Sequence, residues 1–251
     1  MNLKRNDIYR AFDNGDIIPF FQPVIDLYSR RCVGVEVLSR LVLDGRQVFL
    51  PNDFLDTILK DNNELMLFDV ILNKSLAIFN KIVIKDDFFI TINVTANILG
   101  SVFLSNLIND VKDEFICDFF LEVTEHFPLT DLNKGVIDNV RLMKSSGVKL
   151  ALDDYGTGFS NLSMLNHFDF DMIKIPKEFL SYNLFKSDMI LDNIKHLSDI
   201  MNLTVIVEGV ESSQECFRLK RKGFKYVQGY LFSPPLPFEE FVSFYYSICD
   251  H

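Results

Sequence analysis

Short apolar segments alternate with longer amphipathic stretches along almost the whole chain, and this alternation constrains the fold more than any other feature. Eight strand-like segments occur, at residues 17–25, 32–40, 88–94, 118–124, 148–154, 171–175, 203–209 and 225–229. Helical patterns lie between most of them, at residues 64–82, 97–111, 131–145, 177–199 and 212–222. Apolar strands separated by helices are typical of a mostly parallel sheet covered on both faces. Eight such strands in 251 residues predict an α/β fold, a closed (β/α)8 barrel of the TIM type.

The first two strands indicate an irregular start to this barrel. Only six residues (26–31) separate them, too few for a crossover helix, so we expect an antiparallel pair. The alternative fold, a doubly wound open sheet, requires a glycine-rich turn after the first strand, and the sequence has none there. Because no linker, charge block or internal repeat interrupts the pattern, we expect one domain over residues 1–251.

Charge and cysteine content exclude several classes of protein. The chain has 35 Asp and Glu against 25 Lys and Arg, a net charge of −10, so we expect no DNA or RNA partner. No apolar run approaches the roughly 18 residues of a membrane-spanning helix, so we expect no membrane partner. The four cysteines form no CxxC pair, and the first residues lack the apolar stretch of a signal peptide. These features predict a cytoplasmic protein with reduced thiols.

Nearly every predicted strand carries a carboxylate, an amide or a lysine near its carboxyl end. These residues are Glu36, Asn93, Glu122, Asp153, Asp154, Lys174, Glu208 and Gln228. In a barrel the carboxyl ends of the strands meet on one face, where active sites are built. Any one of these residues is equally consistent with a solvated strand end. Their recurrence from strand to strand indicates a site.

The ligand chemistry of this set favours hard cations. Oxygen ligands without Cys or His select Mg²⁺, Mn²⁺ or Ca²⁺. The oxygen donors are Glu36, Asn93, Glu122, Asp153, Asp154 and Glu208. Their charge exceeds that of one divalent ion, so we expect two metal ions that share a bridging Asp, an arrangement suited to phosphoryl displacement by water. Lys174 either orients or deprotonates that water, stabilises the developing charge, or forms an ion pair with one of the acids.

Seven segments, in order along the chain, resemble one known family. They are residues 21–26 (FQPVID), 36–40 (EVLSR), 93–95 (NVT), 122–125 (EVTE), 153–158 (DDYGTG), 208–211 (EGVE) and 228–234 (QGYLFSP). Together they resemble the EAL domain, the family of cyclic di-GMP phosphodiesterases. The resemblance implies a modified TIM barrel with an antiparallel first strand pair. It also implies a hydrolase of cyclic di-GMP signalling, which controls biofilm formation and motility, that opens cyclic di-GMP to linear pGpG.

The resemblance also implies a role for each matching residue. It places one Mg²⁺ or Mn²⁺ ion on Glu36, Asn93, Glu122 and Asp153. Asp153 would bridge to the second ion, which Asp154 and Glu208 would also hold.

Further residues are implied to act on water or substrate. Lys174 would contact the catalytic water, Gln228 would complete the network of metal and water, and Glu211 would lie close by. Glu125 corresponds to the acid that holds the 153–158 loop in shape.

The implied nucleotide-binding residues are Gln22, Leu38 and Arg40, with Arg40 facing a phosphate; Asp154 and Gln228 are expected to contact substrate as well.

One position departs from the family pattern and keeps a second function open. The family usually has Lys-x-Asp at the end of the sixth strand, whereas this chain has Lys174, Ile175 and Pro176. The alternative is therefore a weak or inactive EAL protein that binds cyclic di-GMP or contacts another protein. A hydrolase of other phosphodiesters is a third reading, against which the Gln22 and Arg40 segments argue. We further expect a homodimer, and regulation by a partner protein in trans stays open.

Overall fold

Eight of nine strands close into a barrel in the computed structural model, which describes residues 3–85, 87–123, 134–158, 162–181 and 184–249. The strands are β1 (Ile17–Asp26), β2 (Cys32–Leu43), β3 (Gln47–Phe49), β4 (Phe89–Val94), β5 (Asp118–Val123), β6 (Lys149–Leu152), β7 (Met172–Ile175), β8 (Thr204–Val207) and β9 (Tyr226–Val227). Around the barrel the order is β1, β9, β8, β7, β6, β5, β4 and β2, and β2 pairs back with β1. The short β3 pairs with β2 outside this ring. The predicted (β/α)8 barrel is confirmed.

The first strand runs against its neighbours. β1 is antiparallel to both β2 and β9, whereas the other neighbouring strands of the ring are parallel. The turn between β1 and β2 is closed by Asp26, whose Oδ1 accepts hydrogen bonds from the backbone N–H of Tyr28 (2.7 Å) and Ser29 (3.2 Å). The expected antiparallel pair is therefore confirmed. Its register places Gln22 beside Glu36.

Helices cover the outside of the barrel. They are α1 (Arg5–Asn14), α2 (Pro51–Lys60), α3 (Glu64–Phe79), α4 (Ala96–Leu99), α5 (Val102–Val111), α6 (Lys134–Ser145), α7 (Leu162–His167), α8 (Glu178–Ser181), α9 (Leu184–Met201), α10 (Ser213–Arg221) and α11 (Phe238–Cys249), with a 3₁₀ turn at Lys112–Glu114. α3, α6 and α10 lie within predicted helical stretches. The helix predicted over 97–111 is interrupted, because Ser101 caps a new helix with its Oγ, which accepts from the Phe103 N–H at 3.2 Å.

Five elements have no counterpart in the sequence prediction: α1, β3, α2, α7 and α11. Two of them carry recognisable end signals. Gly15 follows the last residue of α1; it has φ +76°, and its backbone N–H donates to the Phe12 carbonyl. α2 begins with Pro51. Glycine after a helix and proline at its first position are common boundary signals. The two helices were therefore recognisable from the sequence.

Alternation along the strands divides the core in two. The larger group packs between the barrel and its helices and includes Phe21, Ile92, Leu121 and Ile173. A smaller group fills the inside of the barrel near the amino ends of the parallel strands. Its members are Val24, Val33, Phe89, Phe120, Ala151, Met172 and Ile206, with Tyr226 packed against them. Because side chains alternate between faces, the residues two places further along these strands also point inward.

The described residues include no helix that is both long and apolar enough to cross a membrane.

Candidate active site

Strand geometry brings the predicted polar residues together inside the barrel at its carboxyl end. Glu122 follows the inward-facing Phe120 by two positions, and Lys174 follows Met172 in the same way. Backbone hydrogen bonds continue the sheet for one residue beyond three strands: the N–H groups of Asp153, Glu208 and Gln228 donate to the preceding strand at 3.0, 2.9 and 2.9 Å. The polar residues are therefore held by the sheet itself.

Lys174 lies at the centre of this set. Its side chain is only 1% exposed, and its Nζ contacts the carboxylates of Glu122 (2.6 Å), Glu208 (2.6 Å) and Glu36 (3.0 Å), with Asp153 at 3.8 Å. A buried ammonium is costly unless it is paired and hydrogen-bonded. These contacts pair Lys174 several times over and fix the carboxylates around one point.

Two amides also hold Glu36. Gln228 donates its Nε2 to Glu36 Oε2 at 2.6 Å, and Asn93 donates its Nδ2 to Glu36 Oε1 at 3.1 Å. Both Glu36 oxygens therefore accept hydrogen bonds, with Lys174 as a further donor to Oε2. This arrangement orients the carboxylate rigidly.

The four acids share one ammonium, and the pKa values reflect the excess of negative charge. Burial raises the pKa of Glu122 well above its ordinary value, and Glu36 raises it further, against the effect of Lys174. Burial likewise raises the pKa of Glu208 to about 8. Burial also acts to raise the pKa of Glu36, but Lys174 and the two amide donors outweigh it and lower the pKa. Burial acts to lower the pKa of Lys174, but the surrounding acids raise it well above its usual value.

The donor set fits a hard cation. Asp153, Asp154 and Glu208 offer carboxylate oxygens that lie within 4.8 Å of one another. Among the described residues, Glu122 Oε2 and Gln228 Oε1 are buried acceptors without a hydrogen-bond donor. Such atoms are rare in proteins unless water or an ion satisfies them. All these potential ligand atoms are oxygens, the atom type that Mg²⁺, Mn²⁺ and Ca²⁺ prefer.

The loop after β6 holds Asp154 in an unusual backbone conformation. Asp154 has φ +48°, and its carbonyl accepts from both the N–H (3.0 Å) and the hydroxyl (2.9 Å) of Thr157. The N–H of Tyr155 donates to the Lys174 carbonyl at 2.9 Å, which joins the loop to β7. Gly156 has φ +96°, and a Cβ there would lie 2.9 Å from the Phe179 ring. The positive φ angles of Asp154 and Gly156 therefore produce a tight turn directly after β6. This turn places the Asp154 carboxylate near those of Asp153 and Glu208.

A cleft of about 410 Å³ opens above these carboxylates. Gln22, Leu38, Glu211 and Gln228 line it, together with Pro176. A more apolar groove of about 630 Å³ adjoins it under α2, α3 and α4, and Leu38, Asp153 and Asp154 line both. The structure thus places most of the predicted substrate-binding residues on one continuous surface.

One predicted substrate-binding residue, Arg40, is not among the residues that line the cleft or the groove. Arg40 is buried; its Nη1 donates to the Ser39 carbonyl at 2.8 Å, and its guanidinium lies 5.7 Å from the Phe20 ring centroid. Burial lowers the pKa of Arg40, against the opposing effects of Glu36 and Tyr230. Glu125 lies outside the described residues.

The sequence prediction did not include several residues that line the two cavities. Lys177 and Tyr230 line the cleft, while Leu55, Leu59 and Glu64 line the groove. The proline signal at the start of α2 could have identified that helix, but not the side of the barrel to which it adds a wall.

The fold and this face define a (β/α)8 barrel protein with an acidic cleft at the carboxyl ends of its strands. The chain belongs to the EAL domain family, since the family model of the EAL domain matches residues 5–235. The family predicted from the seven segments is thus confirmed.

Relatives and solved structures agree with this assignment. The chain is 31% identical over 241 residues to the probable cyclic di-GMP phosphodiesterase PdeG of Escherichia coli, covering 93% of this chain and 47% of PdeG. It is 29% identical over 244 residues to the cyclic di-GMP phosphodiesterase RocR of Pseudomonas aeruginosa, covering 95% of this chain and 62% of RocR. The EAL enzyme Bd1971, in a form with cAMP and cyclic di-GMP bound, superimposes with a TM-score of 0.85 at 29% identity, covering 96% of this chain and 68% of that one. The chain therefore spans about half to two-thirds of these relatives.

Proposed function

We propose that this protein is a cyclic di-GMP phosphodiesterase that hydrolyses cyclic di-GMP to linear pGpG. In this reaction water adds across one phosphodiester, the bond from phosphorus to O3′ breaks, and the product carries a 5′-phosphate and a free 3′-hydroxyl. The observation that carries the proposal is the convergence of four acids on Lys174 beneath an open cleft. The names of PdeG and RocR support the same reaction.

We assign the metal ions to the carboxylates of the barrel mouth. Glu36, Asn93, Glu122 and Asp153 would hold one Mg²⁺ or Mn²⁺, and Asp153 would be shared with a second held by Asp154 and Glu208. When bound there, two such ions would supply a more acidic water molecule and positive charge for the attacking and leaving oxygens of a phosphoryl displacement.

This chain's own groups prepare the site for that chemistry. Gln228 and Asn93 keep Glu36 oriented and ionised through their N–H donors. Lys174 is a fixed positive charge beside three acids, so it can orient a water molecule or stabilise negative charge on the phosphate. Glu211 and Glu125 keep the supporting roles that the resemblance implies.

The two adjoining cavities suit a ligand with two halves. Cyclic di-GMP carries two guanosine units on one ring of two phosphates, and cavities of about 410 and 630 Å³ lie within the size of small-molecule sites. We assign the scissile phosphate to the cleft, beside Gln22 and Leu38, and the remaining nucleotide to the groove. Arg40 would face a phosphate of the nucleotide, as the resemblance implies.

The decisive experiment incubates the purified protein with cyclic di-GMP and either Mg²⁺ or Mn²⁺ and separates the products by chromatography. We expect linear pGpG, and we expect a chelator to abolish it. Cyclic di-AMP and bis(p-nitrophenyl) phosphate are the controls for base and substrate class. Cleavage of the second control alone would support the hydrolase of other phosphodiesters, and no product at high enzyme concentration would contradict hydrolysis altogether.

A second function, binding without turnover, is favoured by one specific observation. Pro176 lines the cleft where the family usually has an Asp, so one negative charge is missing beside the acids. Equilibrium dialysis with Ca²⁺ present distinguishes the two functions. Tight cyclic di-GMP binding without any product in Mg²⁺ or Mn²⁺ would establish a binding module.

The homodimer, the partner protein in trans, the cytoplasmic location and the single domain over residues 1–251 remain predictions.

A further inference from the structure

The amino-terminal end of the barrel carries a strongly basic surface, which we call the basic face. Its residues come from the turn between β1 and β2 and from the end of α10 with the loop to β9. They are Arg30, Arg31, Lys220, Arg221, Lys222 and Lys225. Because these segments precede β2 and β9, the basic face lies opposite the acidic cleft.

The two segments are joined into one surface. Leu27 donates its N–H to the Lys225 carbonyl at 2.8 Å, and Lys220 Nζ donates to the Leu27 carbonyl at 2.9 Å. The Tyr28 hydroxyl donates to the Lys220 carbonyl at 3.2 Å, while Lys220 Nζ lies 4.7 Å from the Tyr28 ring centroid. These contacts cross the boundary between the segments, so their charges are held side by side before any partner binds.

The local charge of these segments contrasts with that of the chain. Residues 26–31 and 217–225 contain seven of the 25 Lys and Arg but one of the 35 Asp and Glu. Part of this charge is paired: Arg218 and Lys222 contact Asp188, and Lys225 contacts Asp26. Basic residues near a helix C-terminus interact favourably with the helix dipole, which explains Arg218, Lys220 and Arg221 in the last turn of α10. It does not account for Arg30, Arg31 or Lys225, which lie outside any helix.

Three arginines of the basic face are available for a ligand. Within the described part of the chain, no carboxylate lies at ion-pair distance from Arg30, Arg31 or Arg221, whereas Lys222 contacts Asp188 and Asp192. Guanidinium groups bind carboxylates through two parallel hydrogen bonds. Arg221 also lies 5.8 Å from the ring of Phe217, which is 65% exposed, and Tyr28 is 53% exposed.

We propose that the basic face binds a short acidic segment of a partner protein. Arginine and aromatic side chains are the residues enriched in protein–protein interfaces, and both are present here. The rest of the chain is strongly acidic, so a long polyanion that extends past the face is repelled. A short peptide meets only the local charge, because physiological salt screens interactions beyond about 8 Å. The proposal is independent of the hydrolysis reaction.

A labelled 8-residue peptide of Glu, Asp and two Phe is the probe, with binding to the full chain measured by fluorescence anisotropy at low and physiological salt. We expect saturable binding that weakens with salt. The triple variant Arg30→Glu, Arg31→Glu, Arg221→Glu is expected to lose at least about tenfold in affinity, equivalent to ~1.4 kcal/mol. Arg221→Gln alone should weaken binding less, which keeps the test valid if the triple variant folds poorly.

A matched control changes net charge by the same amount elsewhere. Arg10, Lys60 and Lys81 are exposed and distant in sequence from the basic face, and their triple change to Glu should leave peptide affinity within about twofold. Equal loss in both triple variants would overturn the proposal, since it would show a general effect of net charge. Tighter binding of a duplex DNA 16-mer, or of vesicles with 30% phosphatidylserine, would also overturn it and would identify a nucleic acid or a membrane as the partner. No binding of the peptide at low salt would contradict it directly.

Discussion

The inside of the barrel has two layers that lie on the same strands, two residues apart, and differ completely in chemistry. The amino-end layer is apolar, with Phe120 on β5 and Met172 on β7. The carboxyl-end layer is ionic, with Glu122 and Lys174 at the next inward positions. Backbone geometry is the same in both, so the difference comes from side chains alone.

This difference separates stability from function. Burial and close packing of the apolar layer stabilise the fold. The Phe89 ring packs edge-on against the rings of Phe120 and Tyr226, with centroid separations of 5.7 and 6.1 Å. The ionic layer crowds four acids around one ammonium and leaves Glu122 Oε2 without a donor among the described residues. A buried ionic group of this kind seldom adds stability. Variants in the two layers should therefore have opposite effects.

The largest effect is expected for Glu36→Gln in the ionic layer. Turnover of cyclic di-GMP should fall at least about 1,000-fold, roughly 4 kcal/mol in barrier height, because a proposed metal ligand is lost. The melting temperature should fall only slightly, because the lost contacts of Glu36 with Lys174, Gln228 and Asn93 are partly offset by relief of the crowded negative charge. Chromatography of pGpG and thermal unfolding measure the two quantities.

Glu239→Gln is the matched control, because Glu239 is exposed on α11, away from the cleft. It should change neither quantity. Near-normal turnover in Glu36→Gln would show that the metal site has been misassigned.

Phe120→Ala tests the apolar layer. We expect a loss of about 3 kcal/mol in the free energy of unfolding from the cavity left by the ring. Turnover per folded molecule should stay within about twofold, because no reacting group changes. Urea unfolding supplies the first measurement. Phe103→Ala on α5, where the side chain is 73% exposed, should change stability by less than about 0.5 kcal/mol. Equal losses in the two variants would mean that Phe120 does not support the barrel interior.

Gly34→Ala tests how tightly the apolar layer is packed. A Cβ at Gly34 would lie 2.5 Å from Cε2 of Phe89, so overpacking should cost about 2 kcal/mol. The double variant Gly34→Ala, Phe89→Leu should recover part of that loss relative to the sum of the single variants. Strict additivity in this double-mutant cycle would contradict the contact.

The smallest expected effect is a gain in the ionic layer. Pro176→Asp restores the charge that the family usually has beside the acids, and we expect kcat to rise about tenfold, equivalent to ~1.4 kcal/mol. Pro176→Asn reproduces the backbone change without the charge and should leave kcat nearly unchanged. An equal rise in both variants would assign the effect to the proline ring, and no rise in either would make the departure neutral for catalysis.

The barrel could be predicted from the sequence because its strands are covered on both faces and are therefore apolar throughout, whereas the segments between them have helical periodicity. The eight strand segments, including the two short ones at residues 171–175 and 225–229, were predicted with boundaries within three residues of those observed. The six-residue spacing also predicted the antiparallel β1–β2 pair, since no helix fits into that length. By contrast, β3 is three residues long and α7 is six, and segments so short carry too little periodicity to be recognised.

The sequence by itself determined which residues could reach the mouth of the barrel. Nearly every strand has a carboxylate, an amide or a lysine near its carboxyl end, and in a barrel these ends meet on one face. Tertiary structure alone decided their partners. Lys174 and Glu36 are 138 residues apart, yet barrel closure brings Nζ to 3.0 Å from Oε2. The same closure joins Lys220 to the turn after β1, across 193 residues, and so assembles the basic face. Contacts of this kind depend on how strands meet around the ring, and local patterns along the chain contain no information about that distance.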